Sequence, residues 1–331
     1  MSETFKAFYI SQNEEGIRKE IRQVGFDELP QNEVLIRVSF SSINYKDALS
    51  ASGNKGVTRK YPHVPGIDAA GTVVKSTVPE LTVGTLVIVT GFDLGMNTWG
   101  GFGAYISVPA SWVVILPPEL SLKEAMSFGT AGLTAGLSIQ KILNAGIEPK
   151  DGAIVVSGAT GGVGSMATAI LSHLGFKVTA ISGKTENSFL LDVLGARTIT
   201  GRNEFVEKYN TKPLSGADFA AGVDNVGGDI LSGILKAVKH SGVVTSCGNV
   251  ASADLITTVF PFILRGITLS GIDSAQAKMS LRQKVWNNLA TIWKPQYLDE
   301  MVQEIEMDQL SEKLDELLQG KAKGRYVLRH E

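Results

Sequence analysis

Cysteine is nearly absent from this chain of 331 residues. There is one, Cys247, and there are four histidines. A single cysteine excludes an intrachain disulfide framework and any multi-cysteine metal site within one chain. Charge is also sparse: 19% of the residues are Asp, Glu, Lys or Arg, against about 25% in typical soluble domains. Neither sign dominates, with 31 basic and 33 acidic residues and a net charge of −2. That balance argues against a broad basic face for nucleic acid and against a polybasic patch for a membrane. No stretch reaches the ~18 uninterrupted apolar residues of a membrane helix. The opening MSETFKAFYISQNEEG has no basic segment followed by an apolar run, so it does not read as a secretory leader. The expectation is a soluble, cytoplasmic protein with no nucleic-acid and no membrane partner.

Glycine is the residue in excess, at 36 of 331. The length suggests about two domains. Residues 1–115 read as β-rich. Glu33–Phe40 alternates apolar and polar side chains, and Ala70–Lys75 and Thr85–Thr90 are further β-branched runs between glycines and prolines. The texture changes at Ser121, where Ser121 and Glu124 form a capping-box pattern ahead of a helix. From Gly152 strands and helices alternate. The expected strands are Ala153–Ser157, Lys177–Ile181, Thr198–Thr200, Phe219–Asp224, Val243–Cys247 and Ile267–Gly271, with a helix over Thr185–Leu194. Short apolar strands separated by helices indicate a doubly wound parallel sheet, the Rossmann arrangement, in an α/β protein. The first domain is assigned to 1–120 and completed by about 275–331, and the dinucleotide-binding domain to 121–274.

Ser157-Gly158-Ala159-Thr160-Gly161-Gly162-Val163-Gly164 follows the first of these strands and opens a helix. Glycines there permit a tight turn and a close approach of backbone to a pyrophosphate, which the helix N-terminus attracts. Thr160, Gly161, Gly162 and Val163 are therefore candidate cofactor contacts. The next strand ends in Ser182-Gly183-Lys184. It has no carboxylate to meet a ribose 2′-hydroxyl, whereas Ser182 offers a donor and Lys184 a cation. This favours NADPH. Arg202 is either a second cation for the 2′-phosphate or an ordinary surface charge.

Several further stretches carry a family likeness: Ile43-Asn44-Tyr45-Lys46-Asp47, Pro65-Gly66-Ile67-Asp68-Ala69-Ala70-Gly71, Gly129–Ala135, the glycine loop and Gly324–Leu328. With them the chain resembles the medium-chain dehydrogenase/reductase superfamily over nearly its whole length. Val259–Gly266 followed by Gly271-Ile272-Asp273 narrows the likeness to the YhdH/YhfP type, described as quinone oxidoreductases and acrylyl-CoA reductases. The resemblance implies a GroES-like catalytic domain beside the Rossmann domain. Zinc members of the superfamily place a cysteine in the Asn44 segment and a His-Glu pair at Ile67-Asp68. This chain lacks both, which implies metal-free reduction of an activated C=C bond or a quinone.

The same resemblance sets Asn44 beside the nicotinamide, with Tyr45 a candidate proton donor alongside water, and Asp47 an orienting group. It turns Thr130 and Thr134 toward the nicotinamide, brings Cys247 and Gly248 to the cofactor through the backbone, and makes Phe260, Phe262 and Leu264 a wall. It places Arg325 near the 2′-phosphate. The substrate it implies is small, an enoyl thioester such as acryloyl-CoA or else a quinone. A homodimer built on the edge strand near Ile267–Gly271 is expected by analogy. A non-catalytic NADPH-binding protein is the reading from another class. Lys55, Arg59 and Lys60 could meet CoA phosphates or form a solvated edge.

Overall fold

The computed structural model describes residues 4–183, 188–322 and 324–331. The chain divides into two compact units. The first takes Met1–Thr130, Ala275–Ala290 and Val302–Glu331, and the second takes Ala131–Ser274 and Thr291–Met301.

The first unit opens with a hairpin of β1 (Thr4–Asn13) and β2 (Gly16–Gly25), antiparallel from Thr4 opposite Gly25 to Asn13 opposite Gly16. β3 (Val34–Ile43) is the trunk of a second sheet. β4 (Asp68–Ser76), β5 (Leu86–Thr90), β6 (Tyr105–Val108) and β7 (Val113–Ile115) follow, and β14 (Val302–Ile305) and β15 (Arg325–Arg329) return to it from late in the chain. The strand order is β14-β15-β3-β4-β5-β7, with β6 also paired to β3. Alternation in β3 turns Val34, Ile36 and Val38 into a core shared with Val73, Val87, Val89 and Ile106. Between β3 and β4 lies the short α1 (Tyr45–Ala51).

α2 (Leu122–Asn144) begins with the expected capping box. Ser121 N–H donates to the Glu124 carboxylate at 2.8 Å, and Glu124 N–H donates to Ser121 Oγ at 3.1 Å. α2 is kinked at Gly129, whose φ of 52° and ψ of −155° are open only to glycine. The boundary between the units falls beside this kink, about ten residues past the position expected from composition. The physical reason is that Thr130 is hydrogen-bonded to Asp68 of β4 and so belongs to the first unit.

In the second unit the six expected strands form one parallel sheet. They are β8 (Ala153–Ser157), β9 (Val178–Ser182), β10 (Thr198–Gly201), β11 (Phe219–Asp224), β12 (Val238–Ser246) and β13 (Thr268–Gly271). Their order, β10-β9-β8-β11-β12-β13, reverses between β8 and β11. In open α/β sheets ligands bind at the carboxyl ends of the strands beside such a reversal. α3 (Gly162–His173), α4 (Arg202–Tyr209), α5 (Gly228–Ala237) and the short α6 (Phe260–Arg265) are the crossovers. Of the helix expected over Thr185–Leu194, the described residues show one π-helical turn, Phe189–Val193; residues 184–187 lie outside the description.

α7 (Met279–Ala290) belongs to the first unit and is anchored by Arg282, which is 1% exposed. Its guanidinium donates to the carbonyls of Thr90 and Ala275 at 2.8 and 2.7 Å and covers the Phe92 ring. α8 (Leu310–Leu318) packs Leu310 and Leu314 into the core under the first hairpin. Among the described residues no helix is long and apolar enough to cross a membrane.

Candidate active site

In the first unit the reactive segment is organised around two buried carboxylates, Asp47 and Asp68, each fully shielded from solvent. Asn44 caps α1. Its backbone N–H donates to Asp47 Oδ2 at 2.8 Å, and the N–H of Ile67 donates to Asp47 Oδ1 at 2.8 Å. Asp47 therefore ties α1 to the start of β4. Asp68 accepts from the Ser42 hydroxyl, from Asn44 Nδ2 at 2.8 Å, from the Thr130 N–H at 2.7 Å and from the Thr130 hydroxyl. Gly129 makes this closure possible: a Cβ there would lie 2.2 Å from Ser42 Oγ and 2.6 Å from Asp68 Oδ2.

Arg325, at the start of β15, completes the group. It is 3% exposed and donates to Asn44 Oδ1 at 3.2 Å, with longer contacts to the carbonyls of Ile43 and Ser127 at 3.4 Å. Burial lowers the pKa of the guanidinium, while Asp68 and Asp47 oppose that shift. Burial, reinforced by the Asp68 charge, pushes Asp47 up to about 7, against the pull of its N–H donors.

These contacts bear on four sequence-based expectations and correct those for Arg325 and Thr130. Arg325 is committed to the interior of the first unit, so its guanidinium does not offer an exposed face to a 2′-phosphate. The Asn44 amide is held by Asp68 and Arg325, and its second hydrogen has only a long 3.4 Å contact with Ser42 Oγ. The Thr130 hydroxyl is directed to Asp68. Asp47 has both oxygens engaged by backbone N–H groups, which suits an orienting group and not a proton carrier. Tyr45 differs from its neighbours. It is 49% exposed, and its hydroxyl has no hydrogen-bond partner among the described residues.

The second unit presents the nucleotide-type elements. α3 starts at Gly162 with Gly161 as its N-cap and no side-chain cap, so its first N–H groups face outward. Gly158 has a φ of 58°, and a Cβ on Gly164 would lie 2.2 Å from the Gly158 carbonyl. Loop and helix can meet this closely only with glycine at both positions. Thr160, Gly162 and Val163 are half-buried and Gly161 is exposed. These features fit a bound pyrophosphate. At the end of β9 Ser182 is buried, and a Cβ on Gly183 would lie 3.3 Å from Arg202 Cζ. Arg202 is exposed at the first position of α4, so its guanidinium lies over the end of β9, where a 2′-phosphate would need it. Lys184 lies outside the described residues.

The carboxylate that sequence reasoning missed is Asp224, which closes β11 and is fully buried. It accepts from Ser157 Oγ at 2.8 Å, Ser246 Oγ at 3.1 Å and the Gly227 N–H at 3.0 Å, and burial raises its pKa. It thereby joins the carboxyl ends of β8, β11 and β12. The available signal was one acidic residue after the five-residue run FAAGV and just before Asn225-Val226-Gly227-Gly228.

Cys247 follows in the same corner. Its N–H donates to the Asp224 carbonyl, its thiol donates to Asn225 Oδ1 at 3.1 Å, and burial pushes its pKa up to about 12. Its N–H is thus engaged within the unit, and burial keeps the thiol in its protonated, poorly nucleophilic form. Gly248 lets the chain pass against Asn225, where a Cβ would lie 2.1 Å from the carbonyl oxygen. Ser246–Asn249 and Gly271–Asp273 line a cleft of about 630 Å³. Thr134, expected to face the nicotinamide, donates instead to Ser274 Oγ at 2.7 Å. Phe262 packs on the core of this unit, while Leu264 is 53% exposed.

The donor set does not fit zinc. Among the described residues no three His, Cys, Asp or Glu side chains could hold a metal ion together. Asp68 is saturated by donors, and the neighbouring charge is the Arg325 cation. The raised Asp47 pKa has a consequence for stability. Between the unfolded value of 3.8 and about 7 the folded protein binds more protons than the unfolded chain, so stability falls as pH rises through this window. Asp47→Asn should flatten the fall in urea midpoint between pH 4 and 7, even though it lowers the midpoint itself. An unchanged pH slope would refute this assignment.

Comparison with known proteins agrees with this geometry. The model of an alcohol dehydrogenase GroES-like domain matches residues 30–118, and that of a zinc-binding dehydrogenase matches residues 162–291. Acrylyl-CoA reductase AcuI of Ruegeria pomeroyi is 38% identical over 326 residues, covering 98% of each chain. The crystal structure of Bacillus subtilis YhfP with NAD bound matches with a TM-score of 0.96 at 38% identity, covering 99% of this chain and 100% of that one. YhfP is named for quinone oxidoreductase activity. The yhdH oxidoreductase of Salmonella enterica in complex with NADP matches with a TM-score of 0.94 at 36% identity, covering 98% and 100%. With likeness of this degree from end to end, the chain belongs to the medium-chain dehydrogenase/reductase superfamily of NAD(P)-dependent oxidoreductases, in the branch of the YhdH and YhfP proteins and the acrylyl-CoA reductases.

Proposed function

We propose that this protein is an NADPH-dependent reductase of activated C=C bonds and that it converts acryloyl-CoA to propanoyl-CoA without zinc. The observation that carries the reading is the closed set of Asn44, Asp68 and Arg325, of which Asn44 and Asp68 lie in the two segments where the resemblance puts the ligands of zinc members. Polarising a substrate oxygen there falls to hydrogen-bond donors. The 38% identity to an acrylyl-CoA reductase supports the substrate class.

NADPH, held by the N-terminus of α3 and the Ser182–Gly183–Arg202 corner, would supply a hydride to the β-carbon of the substrate. Gly162 and Val163 present N–H groups to the pyrophosphate, with Thr160 and Gly161 in the same loop, where the Gly161 N–H closes the turn onto the Gly158 carbonyl. Ser182 and Arg202 meet the 2′-phosphate. As the thioester oxygen gains negative charge, preorganised donors stabilise it. The donor that Asn44 can spare is its second amide hydrogen, because the first is fixed on Asp68. Arg325 and Asp68 hold that amide in one orientation. Tyr45 carries the accessible phenol of α1 and can hand a proton to the α-carbon, a role water can share.

Two measurements test this reading. With NADPH in excess, the purified protein should reduce acryloyl-CoA with a higher kcat/KM than benzoquinone. Turnover of quinones alone would overturn the thioester assignment, and binding without turnover of any acceptor would overturn the enzyme reading. Arg202→Ala should lower the preference for NADPH over NADH by about tenfold, the scale of one lost charge-assisted hydrogen bond. A preference that does not move would remove Arg202 from the phosphate site.

We also propose a homodimer through β13, the edge strand of the parallel sheet. Val259, Ile263 and Leu264 beside it are 62%, 67% and 53% exposed, an apolar surface suited to a second copy. Light scattering should give about twice the 35.3 kDa chain mass. A monomer at micromolar concentration would contradict the proposal.

A further inference from the structure

Between Asn44 and Pro62 the chain carries four basic residues, Lys46, Lys55, Arg59 and Lys60, and one acidic residue, Asp47. Asp47 is buried, whereas Lys55, Arg59 and Lys60 are exposed. In a chain with a net charge of −2 this is a local concentration of positive charge. Several other surface cations of the first unit sit in ion pairs, among them Lys19 with Asp315, Arg22 with Glu28 and Arg329 with Glu306, whereas among the described residues Arg37 and Lys75 stand singly. Among the described residues none of Lys55, Arg59 and Lys60 has a carboxylate partner.

The loop that carries these cations is pinned. The Tyr61 hydroxyl donates to the Ser50 carbonyl at 2.7 Å, and the buried hydroxyls of Ser50 and Thr58 are 2.7 Å apart. The Asn54 carbonyl accepts from the N–H groups of Val57 and Thr58, both at 3.0 Å. Lys55 Nζ donates to Gln12 Oε1 at 2.6 Å and lies 4.7 Å from the centre of the Tyr61 ring. The Arg59 N–H donates to Asn97 Oδ1 at 3.2 Å. Both ends of the loop lead to the reactive segment. One joins α1, whose seven residues span about 10 Å from Tyr45. The other leads to Ile67, whose N–H holds Asp47.

A quinone has no use for unpaired cations in such a place. An acyl-CoA does, because its diphosphate and 3′-phosphate lie at the end of a pantetheine arm longer than α1. We infer that Lys55, Arg59 and Lys60 bind the phosphates of the CoA moiety of the substrate, an inference that rests on the thioester reading above. Exposed cation–phosphate contacts are screened by salt, so the site acts on KM and weakens with ionic strength.

The test compares acryloyl-CoA with acryloyl-pantetheine, which lacks the phosphates. In the triple variant Lys55→Gln, Arg59→Gln, Lys60→Gln, the advantage of acryloyl-CoA in kcat/KM should fall by about tenfold at low salt. A control with the same change in charge, Lys75→Gln, Lys141→Gln, Lys177→Gln, should keep it. Titrations with free CoA and with NADPH accompany the kinetics, and CoA binding alone should weaken. If the wild type reduces acryloyl-CoA and the triple variant keeps the advantage, the phosphate site is refuted while the reductase reading stands. If the wild type does not reduce acryloyl-CoA, the reductase reading fails, and the free-CoA titration decides the site. Weaker binding by the triple variant would then uphold it, and equal or absent binding would overturn it.

Discussion

Asp68 is a carboxylate with no access to water, and the reactive corner of the first unit is arranged around keeping it satisfied. It gathers donors from Ser42 on β3, from Asn44 at the cap of α1 and from Thr130 in α2. Arg325 reaches the same group from β15 through the Asn44 amide. An ion in a protein interior costs several kcal/mol in lost hydration, and removing one partner of a buried pair typically costs about 3–5 kcal/mol. The alignment of β3, α1, β4, α2 and β15 therefore cannot relax independently at this point. The glycine kink in α2 follows from the same demand, since any side chain at 129 would occupy the space of the Ser42 and Asp68 oxygens.

The second unit solves a similar problem with another buried carboxylate. Asp224 binds the ends of three parallel strands at the place where the strand order reverses. Its partner Ser157 is the residue from which the glycine loop departs. A buried charge can in this way fix the glycine loop without lying in it. Each unit thus carries one acceptor-rich centre, and in each the chemically interesting backbone is the segment held by it.

Legibility in the sequence followed the range of the contacts. The strand, glycine loop and helix over 153–173 are local in sequence, and apolar run, glycines and helix appear in order along the chain. The capping box at Ser121 was visible for the same reason. The Asp68 group was not, because its members come from positions 42, 44, 130 and 325, and no spacing rule joins them. Family likeness suggested exposed or cofactor-facing roles for Arg325, Thr130 and Thr134, and the hydrogen bonds of this chain turn all three inward. The hairpin β1–β2 was unassigned because β2, GIRKEIRQVG, buries only Val24 and so shows no apolar face to read.

The order in which the chain is made gives Arg325 one more consequence. Its hydrogen bond to Asn44 joins residues 281 apart in sequence, and the whole parallel sheet of the second unit lies between them. On the ribosome, Asp47 and Asp68 emerge long before the guanidinium that will lie beside them, and the second unit is complete in sequence before β15 exists. Contacts of such long range are slow to form because the intervening loop must be closed first. The corner around Asn44 can therefore close completely only at the end of synthesis, when β15 pairs with β3 and brings the guanidinium to it.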